Sequence, residues 1–399
     1  MCSSDLDAQG VPTGVLKESA MELVTQLIPA ETPEQVRNGI LKMIEGFHQE
    51  GMTAVKDPAI GEITWDAYRQ VLKEGKLTVR VFTLWTGGTT MESARKTLAQ
   101  ISALPKPPQS LGDARLLSGG VKLFMDGRGG ARTAWVYKDW NKNGKETDTG
   151  NTGYPAIEPE VYRQMVRMFH QAGIHVGTHA VGDRAIDWVV DTYAQVLKET
   201  PTKGLRHSII HANIPTDHAI ETMAALQKQY DAGYPETQAP FVWWIGDTYA
   251  GNYGPEREAR LNPYKTYLAK GILWAGGSDF YVTPFPARYG IWASIARETL
   301  KGVYGAHPFG TAESVDVHVA LRSYTAWAAR QLFLEDKIGS IEPGKRADIA
   351  VWERDLYSVP TAELKEMKCE MTIFDGQIVY KAAGTPITSG GLTPTSALR

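Results

Sequence analysis

The chain has 399 residues, 43% of them hydrophobic, with 42 Lys and Arg against 45 Asp and Glu. That length suits one large domain and a smaller one. The near-neutral balance offers no basis for binding nucleic acid or an anionic membrane, and no apolar run approaches the ~18 residues of a membrane span.

The first residues, Met1-Cys-Ser-Ser-Asp-Leu6, resemble the translation of a common sequencing adapter. Residues 1–6 are therefore expected to be adapter-derived, with the natural start upstream; the alternative is a genuine, disordered N-terminus. No basic n-region or apolar h-region of a secretory signal follows. The cytoplasm is favoured, although an adapter-derived start would leave localisation open. Cys2 and Cys369 make no disulfide framework.

Thr32-Pro-Glu-Gln35 opens a helix with a capping-box pattern. Val36, Ile40, Met43, Ile44 and Phe47 keep helical spacing up to Gly51. Strand-like runs follow at Met52–Lys56, Leu77–Phe82, Val121–Met125, Ile174–Thr178, His207–Ile210, Glu236–Phe241 and Ile272–Ala275. Helical stretches such as Pro159–Gln171 and Asp217–Tyr230 separate most of them. This alternation predicts an α/β fold with a parallel sheet. Seven strands are legible where a (β/α)₈ barrel has eight, the absent one preceding Met52. A last long helix is expected at Val317–Leu332. Beyond it, Gly339–Trp352 and Met371–Tyr380 read as short strands of a small β-domain. The Gly/Ser/Thr/Pro-rich tail from Ala382 reads as disordered. The expected domains are a barrel over 7–332, a β-domain over 333–381 and a tail over 382–399.

Four of these segments carry a potential metal ligand at or near the strand end: Lys122, His179, His211 and Asp279, separated by 57, 32 and 68 residues. At roughly 30 residues per βα unit, these gaps place them on the fourth, fifth, sixth and eighth barrel strands. Active groups of this fold come from the carboxyl ends of strands. His179 and His211 suit Zn²⁺, which takes neutral imidazole; the plainer alternative is two satisfied core histidines. His175 and His207 lie four residues deeper and read as packing residues. Lys122 sits in an apolar strand, where lysine is rarely buried unpaired. It is either a Schiff-base nucleophile or one half of an ion pair, for which Asp126 is a candidate. Asp279 follows Gly276-Gly277 and is either a ligand and proton shuttle or a helix N-cap.

The ordered set of Pro12-Thr-Gly-Val-Leu, Gly51-Met-Thr-Ala-Val, Val121-Lys-Leu-Phe-Met-Asp-Gly, His179-Ala-Val-Gly-Asp183, the Arg206–His211 run, Gly277-Ser-Asp279 and Gly339-Ser-Ile-x-x-Gly-Lys-x-Ala-Asp348 resembles the amidohydrolase superfamily. The similarity is to its YtcJ-like branch, which includes N-substituted formamide deformylases, and it runs from about Asp7 to Lys381. It implies a TIM barrel, one or two divalent metals with zinc foremost, and a carboxylated Lys122 bridging them. Asp279 would be ligand and proton carrier. The implied reaction is hydrolysis of a C–N bond in a small-molecule amide. The family's His-x-His pair at the end of barrel strand 1 has no counterpart here. The resemblance therefore implies a chain lacking strand 1 and half the small domain, inactive alone. A Schiff-base aldolase or isomerase using Lys122 and a non-catalytic binding protein on the same fold remain as alternatives. A homodimer is compatible with either fold.

Two further features carry weaker expectations. Trp135, Trp243 and Trp244 fall in loops expected near the barrel mouth and either line an apolar substrate pocket or pack internally. Asp139-Trp-Asn141-Lys-Asn143-Gly144 resembles the first half of a Ca²⁺ loop, with Asp139, Asn141 and Asn143 as ligands. Gly150 stands where the bidentate Glu belongs, and a polar Asn-Gly turn explains it equally.

Overall fold

The structure, a computed structural model, describes residues 3–6, 9–107, 110, 112–140, 150–302 and 310–384. An antiparallel hairpin of β1 (Ser3–Leu6) and β2 (Pro12–Lys17) comes first, so the N-terminus is not wholly irregular. Seven strands follow: β3 (Ala54–Ile60), β4 (Arg80–Thr86), β5 (Leu116–Phe124), β6 (His175–Ala180), β7 (Ser208–His211), β8 (Tyr234–Thr237) and β9 (Ala275–Gly276). Each pairs in parallel with its neighbour in sequence. Parallel neighbours need long crossovers. Helices Glu62–Lys73, Met91–Ser102, Pro159–Gln171, Asp183–Glu199 and Asp217–Tyr230 provide them from β3 to β8. All seven expected strands are present, as a curled half-barrel whose edge strands are β3 and β9.

Side-chain alternation sorts the strands into two layers. Val121, Leu123, Val176 and Ile209 pack outward with the helices. Phe82, Leu84 and Ile210 point inward and join Leu332, Phe333 and Ile338, which fill the interior from the chain's later part. The curl is deep enough for Lys56 on β3 to reach Glu236 on β8, with Nζ and Oε1 2.5 Å apart.

The helix expected after Thr32 spans Pro33–Gln49. Its capping box is formed, with Gln35 N–H donating to the Thr32 hydroxyl at 3.2 Å and Thr32 N–H to the Gln35 side chain at 2.8 Å. Three sequence expectations fail locally, and the strand expected over Ile272–Ala275 is the first, being confined to Ala275–Gly276. The strand expected over Glu236–Phe241 stops at Thr237, and Pro240–Trp244 is helical. Pro240 occupies the first helical turn, where its missing N–H costs nothing. The helix expected over Val317–Leu332 is two helices, Val317–Tyr324 and Ala326–Gln331. Thr325 breaks it, leaving the helical region at φ −129° and ψ −95°. The Tyr324 hydroxyl there donates to the Gly277 carbonyl at 3.3 Å, and the Tyr324 ring fills the space a side chain at Gly276 would need.

Strands β10 (Ile349–Trp352), β11 (Cys369–Phe374) and β12 (Gln377–Lys381) form a small antiparallel sheet. The β11–β12 turn uses Asp375 and Gly376, both at positive φ (53° and 83°), as a tight hairpin turn of this hand requires. This sheet is tied to the barrel by a buried ion pair. Arg80 Nε and Nη2 donate to the two Asp348 carboxylate oxygens at 2.8 and 3.0 Å, while Asp348 also accepts the Asp375 N–H at 2.9 Å. Removing Asp348 leaves the buried Arg80 with only the longer contact to Asp375 Oδ1, at 3.6 Å, as counter-charge, and breaking a buried pair costs about 3–5 kcal/mol. Asp348→Ala is expected to lower the unfolding free energy by about that amount in denaturant titration. A loss below about 1 kcal/mol would show that the pair does not fasten the sheet.

Below the barrel mouth two buried histidines, His207 and His170, form a one-directional chain. Val176 N–H donates to His207 Nδ1 at 3.1 Å. His207 Nε2 and His170 Nδ1 are 2.8 Å apart, and His170 Nε2 lies 2.7 Å from the Thr200 carbonyl. A carbonyl only accepts, so His170 carries its proton on Nε2 and His207 donates to it. Both rings are then satisfied while neutral, and protonating either sets N–H against N–H. His175 likewise donates Nδ1–H to the Leu205 carbonyl at 3.0 Å. Burial pushes all three pKa values below 6.5. A lowered folded-state pKa means that the unfolded chain takes up protons the folded chain refuses. Stability is therefore full above about pH 6.5 and lost as pH falls, by up to ~1.4 kcal/mol per pH unit for each such histidine. Denaturant titrations at pH 7.5 and 5.5 are expected to differ by more than 2 kcal/mol; equal stabilities would contradict the neutral chain.

Candidate metal centre

The candidate ligands sit where the strands end. Lys122 (β5) points into the curled sheet and is 3% exposed. In the β5–β6 register Lys122 pairs with Gly177 and Phe124 with His179. Phe124 covers both candidates, its ring centroid 4.9 Å from Lys122 Nζ and 5.3 Å from the His179 ring. His211 is placed differently. Ile209 packs outward and Ile210 inward, so plain alternation sends His211 outward. Positive φ at His211 (81°) and Ala212 (44°) turns the chain and brings its imidazole against that of His179, centroids 4.5 Å apart and nearly perpendicular. His207, at the same parity, stays on the helix side against His170 and Tyr193, whereas His175 faces the interior near Phe82 and Phe333.

Hydrogen bonds fix opposite tautomers in the two facing imidazoles. His179 Nε2 lies 2.8 Å from the Gly127 carbonyl, which can only accept, so Nε2 carries the proton and Nδ1 is left free. His211 Nδ1 lies 2.7 Å from Gln238 Oε1. The Gln238 amide is oriented by its own Nε2–H, which donates to the Glu236 carbonyl at 3.1 Å. Nδ1 of His211 is therefore protonated and Nε2 free. Burial pushes both rings below 6.5, His211 to about 3, so both are neutral near pH 7.

Lys122 makes no ion pair among the described residues. Asp126, offered by the sequence as its partner, is taken instead by backbone: Oδ1 accepts Val181 N–H at 3.0 Å, and Oδ2 accepts Gly182 and Trp135 N–H at 2.8 and 2.9 Å. Burial pushes the Lys122 ammonium down to about 7, against opposing pulls from Asp279 and Glu236. Asp279 stands exposed at the rim with φ +54°. It caps no helix, since the next one, Ala287–Ala296, begins after Pro286.

The remaining candidates scatter. Trp135 is buried against Trp188 and covered by the Arg184 guanidinium. Trp243 and Trp244 lie on the helix Pro240–Trp244 and not in a loop; Trp243 packs on Trp292 and Tyr289. Trp244 lines an open cleft with Phe280, Tyr281 and Phe285, which begins one residue beyond Asp279. Asp139 accepts the Gly150 N–H at 2.7 Å; Asn141 and Asn143 lie outside the described residues. The sequence reading missed Gln238, Phe124 and Phe241, the last stacked on His211 with centroids 5.8 Å apart. It also missed the Lys56–Glu236 pair. Lysine and glutamate at inward positions of apolar strands were the available signal for that pair.

The donor chemistry fits a divalent metal: two neutral imidazoles, each with one nitrogen tied and the other free, beside a carboxylate and a buried amine. Among the described residues, no three His, Cys, Asp or Glu side chains already stand at ligating distance of a common point.

With this architecture in place, the class is clear from comparison. The chain belongs to the amidohydrolase family, whose model matches residues 5–380. It is 26% identical over 380 residues to the protein YtcJ of Bacillus subtilis (strain 168), covering 94% of this chain and 67% of that one. It is equally 26% identical over 390 residues to the N-substituted formamide deformylase of Arthrobacter pascens, covering 95% and 67%. An uncharacterized metal-dependent hydrolase from Pyrococcus horikoshii OT3 superposes with a TM-score of 0.72 at 26% identity, covering 90% of this chain and 68% of that one. The chain thus spans about two thirds of the length of these proteins.

Gly182 holds the loop around His179 in place. A Cβ at this position would collide with the Trp135 carbonyl, and the Gly182 N–H is one of the three donors to Asp126. Gly182→Ala is expected to cost about 1–3 kcal/mol, the usual penalty of overpacking, measured by thermal melting. An unchanged melting temperature would show that the loop moves freely.

Proposed function

We propose that this chain is the catalytic part of a metal-dependent amidohydrolase that cleaves a C–N bond in a small-molecule amide, an N-substituted formamide being one such substrate. The observation that carries this is the pair of facing imidazoles with opposite, hydrogen-bond-fixed tautomers at the strand ends. His179 Nδ1 and His211 Nε2, with Lys122 and Asp279, would hold one or two divalent metals, zinc by donor type. Bound there, the metal would supply Lewis acidity towards the amide carbonyl and a lowered pKa for water.

The chain's own residues have separate tasks. Asp279, exposed at the rim, would take a proton from the attacking water and return it to the leaving nitrogen. Phe124 and Phe241 flank the imidazoles and keep bulk water off them. Lys122, pushed down to about 7, has a substantial neutral fraction at physiological pH; its amine would add CO₂, releasing one proton, to give a carbamate. The cleft of Trp244, Phe280 and Tyr281 offers an apolar wall to the substrate's nitrogen substituent.

Zinc titration calorimetry on the metal-stripped chain is the direct test. His179→Ala and His211→Ala are each expected to weaken binding at least tenfold, and unaltered affinity in either would end this proposal. The same depressed lysine also suits a Schiff-base enzyme. Lys122→Ala separates the two: activity restored by short carboxylic acids supports the carbamate, whereas borohydride-dependent labelling of the parent by substrate supports the imine.

A further inference from the structure

We infer that Asp126 is a positioning residue for His179: its carboxylate gathers the loop that supplies the Gly127 carbonyl and thereby fixes which imidazole nitrogen is left for the metal. The inference rests on the metal-centre reading above and adds a residue to it.

Asp126 lies two residues beyond the end of β5, and its side chain is fully buried. Its two oxygens accept three backbone N–H groups from two separate segments. Trp135 closes the loop that starts at Asp126 itself, and Val181 and Gly182 begin the turn after β6. The two segments are thus drawn together around His179. Met125 N–H donates to the His179 carbonyl at 2.9 Å, so the same knot also fixes the ligand's backbone. Gly127, the next residue, presents its carbonyl to His179 Nε2 at 2.8 Å, and Asp126 Oδ1 lies 3.5 Å from the same nitrogen. Carbonyl and carboxylate therefore both stand on the Nε2 side of the ring, opposite the free Nδ1. Acceptor oxygens behind the protonated nitrogen make the other nitrogen a better donor to a cation. The three N–H partners also explain why a carboxylate is used. An asparagine would aim its own NH₂ at one or more of these donors and leave a buried amide unpaired.

The test uses the full chain stripped of metal, with Zn²⁺ alone as the probe, and compares the parent, Asp126→Asn, His179→Ala and the double variant by calorimetry. Asp126→Asn is expected to weaken Zn²⁺ binding by roughly 10–100-fold, the usual effect of losing a ligand's supporting partner. In the His179→Ala background the same substitution is expected to add no loss. A residue that only holds the fold together would weaken binding equally in both backgrounds, and that result overturns the inference. So does an affinity within threefold of the parent in Asp126→Asn. Should the asparagine variant not fold, Asp126→Ser is carried through the same cycle with the same criteria. Histidine ¹⁵N NMR of the parent is decisive in either case: His179 is expected as the Nε2–H tautomer, and an Nδ1–H form overturns the inference. If His179→Ala alone leaves Zn²⁺ affinity unchanged, the metal-centre reading fails and this inference with it. If only the Asp126 arm is silent, the centre stands without its positioning residue.

Discussion

The curl of the parallel sheet is the constraint on which everything else depends. Alternation gives every strand one face for the helices and one for the interior, and the interior is narrow. Its lower part is apolar, with Phe82, Leu84, Ile210 and Phe333 in contact. Level with Phe82 and Ile210 in the strand register, Lys56 and Glu236 meet across the sheet, with His175 Nε2 3.4 Å from Lys56 Nζ. A flat sheet would leave both charges buried and alone, a state far costlier than the pair. Burial pushes the Lys56 ammonium down while Glu236 pulls it back up. The charged layer is stable only because the sheet is bent enough to let its first and sixth strands touch.

At the strand ends regular alternation is relaxed, and the chemistry depends on the relaxation. Lys122 and His179 inherit their direction from the pleat. His211 and Asp279 do not: both have positive φ (81° and 54°), which only a few per cent of non-glycine residues adopt. Non-glycine residues in this region persist where the surroundings hold them, commonly at functional sites. For His211 the holding groups are visible: Gln238 on one ring nitrogen and Phe241 against the face.

This difference also explains what was legible in the sequence. All seven parallel strands were, because each is a short apolar run bounded by helical pattern. The helices Pro159–Gln171 and Asp217–Tyr230 were legible to the residue. The break at Thr325 was not, because nothing local announces a ring that must lie over Gly276. Proline misled at Pro240, where an apolar run turns into a helix instead of extending a strand. For the site, residue type and spacing pointed to Lys122, His179, His211 and Asp279. They could not reveal which ring nitrogen each histidine leaves free, since that depends on Gly127 and Gln238, chosen by tertiary contact. Nor could they show that Asp126 serves three backbone amides and not Lys122, because backbone donors have no sequence signature.

The charge balance at the mouth follows from these contacts. The two histidines are held neutral by burial and by hydrogen bonds that each need only one ring proton. In the proposed centre a divalent cation would meet the Lys122 ammonium and the Asp279 carboxylate, which already act on each other electrostatically. An ammonium beside a divalent cation is unfavourable in a partly desolvated site. Binding of the cation therefore favours loss of the Lys122 proton. With that ammonium already pushed down to about 7, the proton leaves near physiological pH at small cost, because each pKa unit corresponds to only about 1.4 kcal/mol. The desolvation that makes a buried lysine awkward for the fold thus prepares it for a metal neighbour, and the same curl of the sheet is responsible for both.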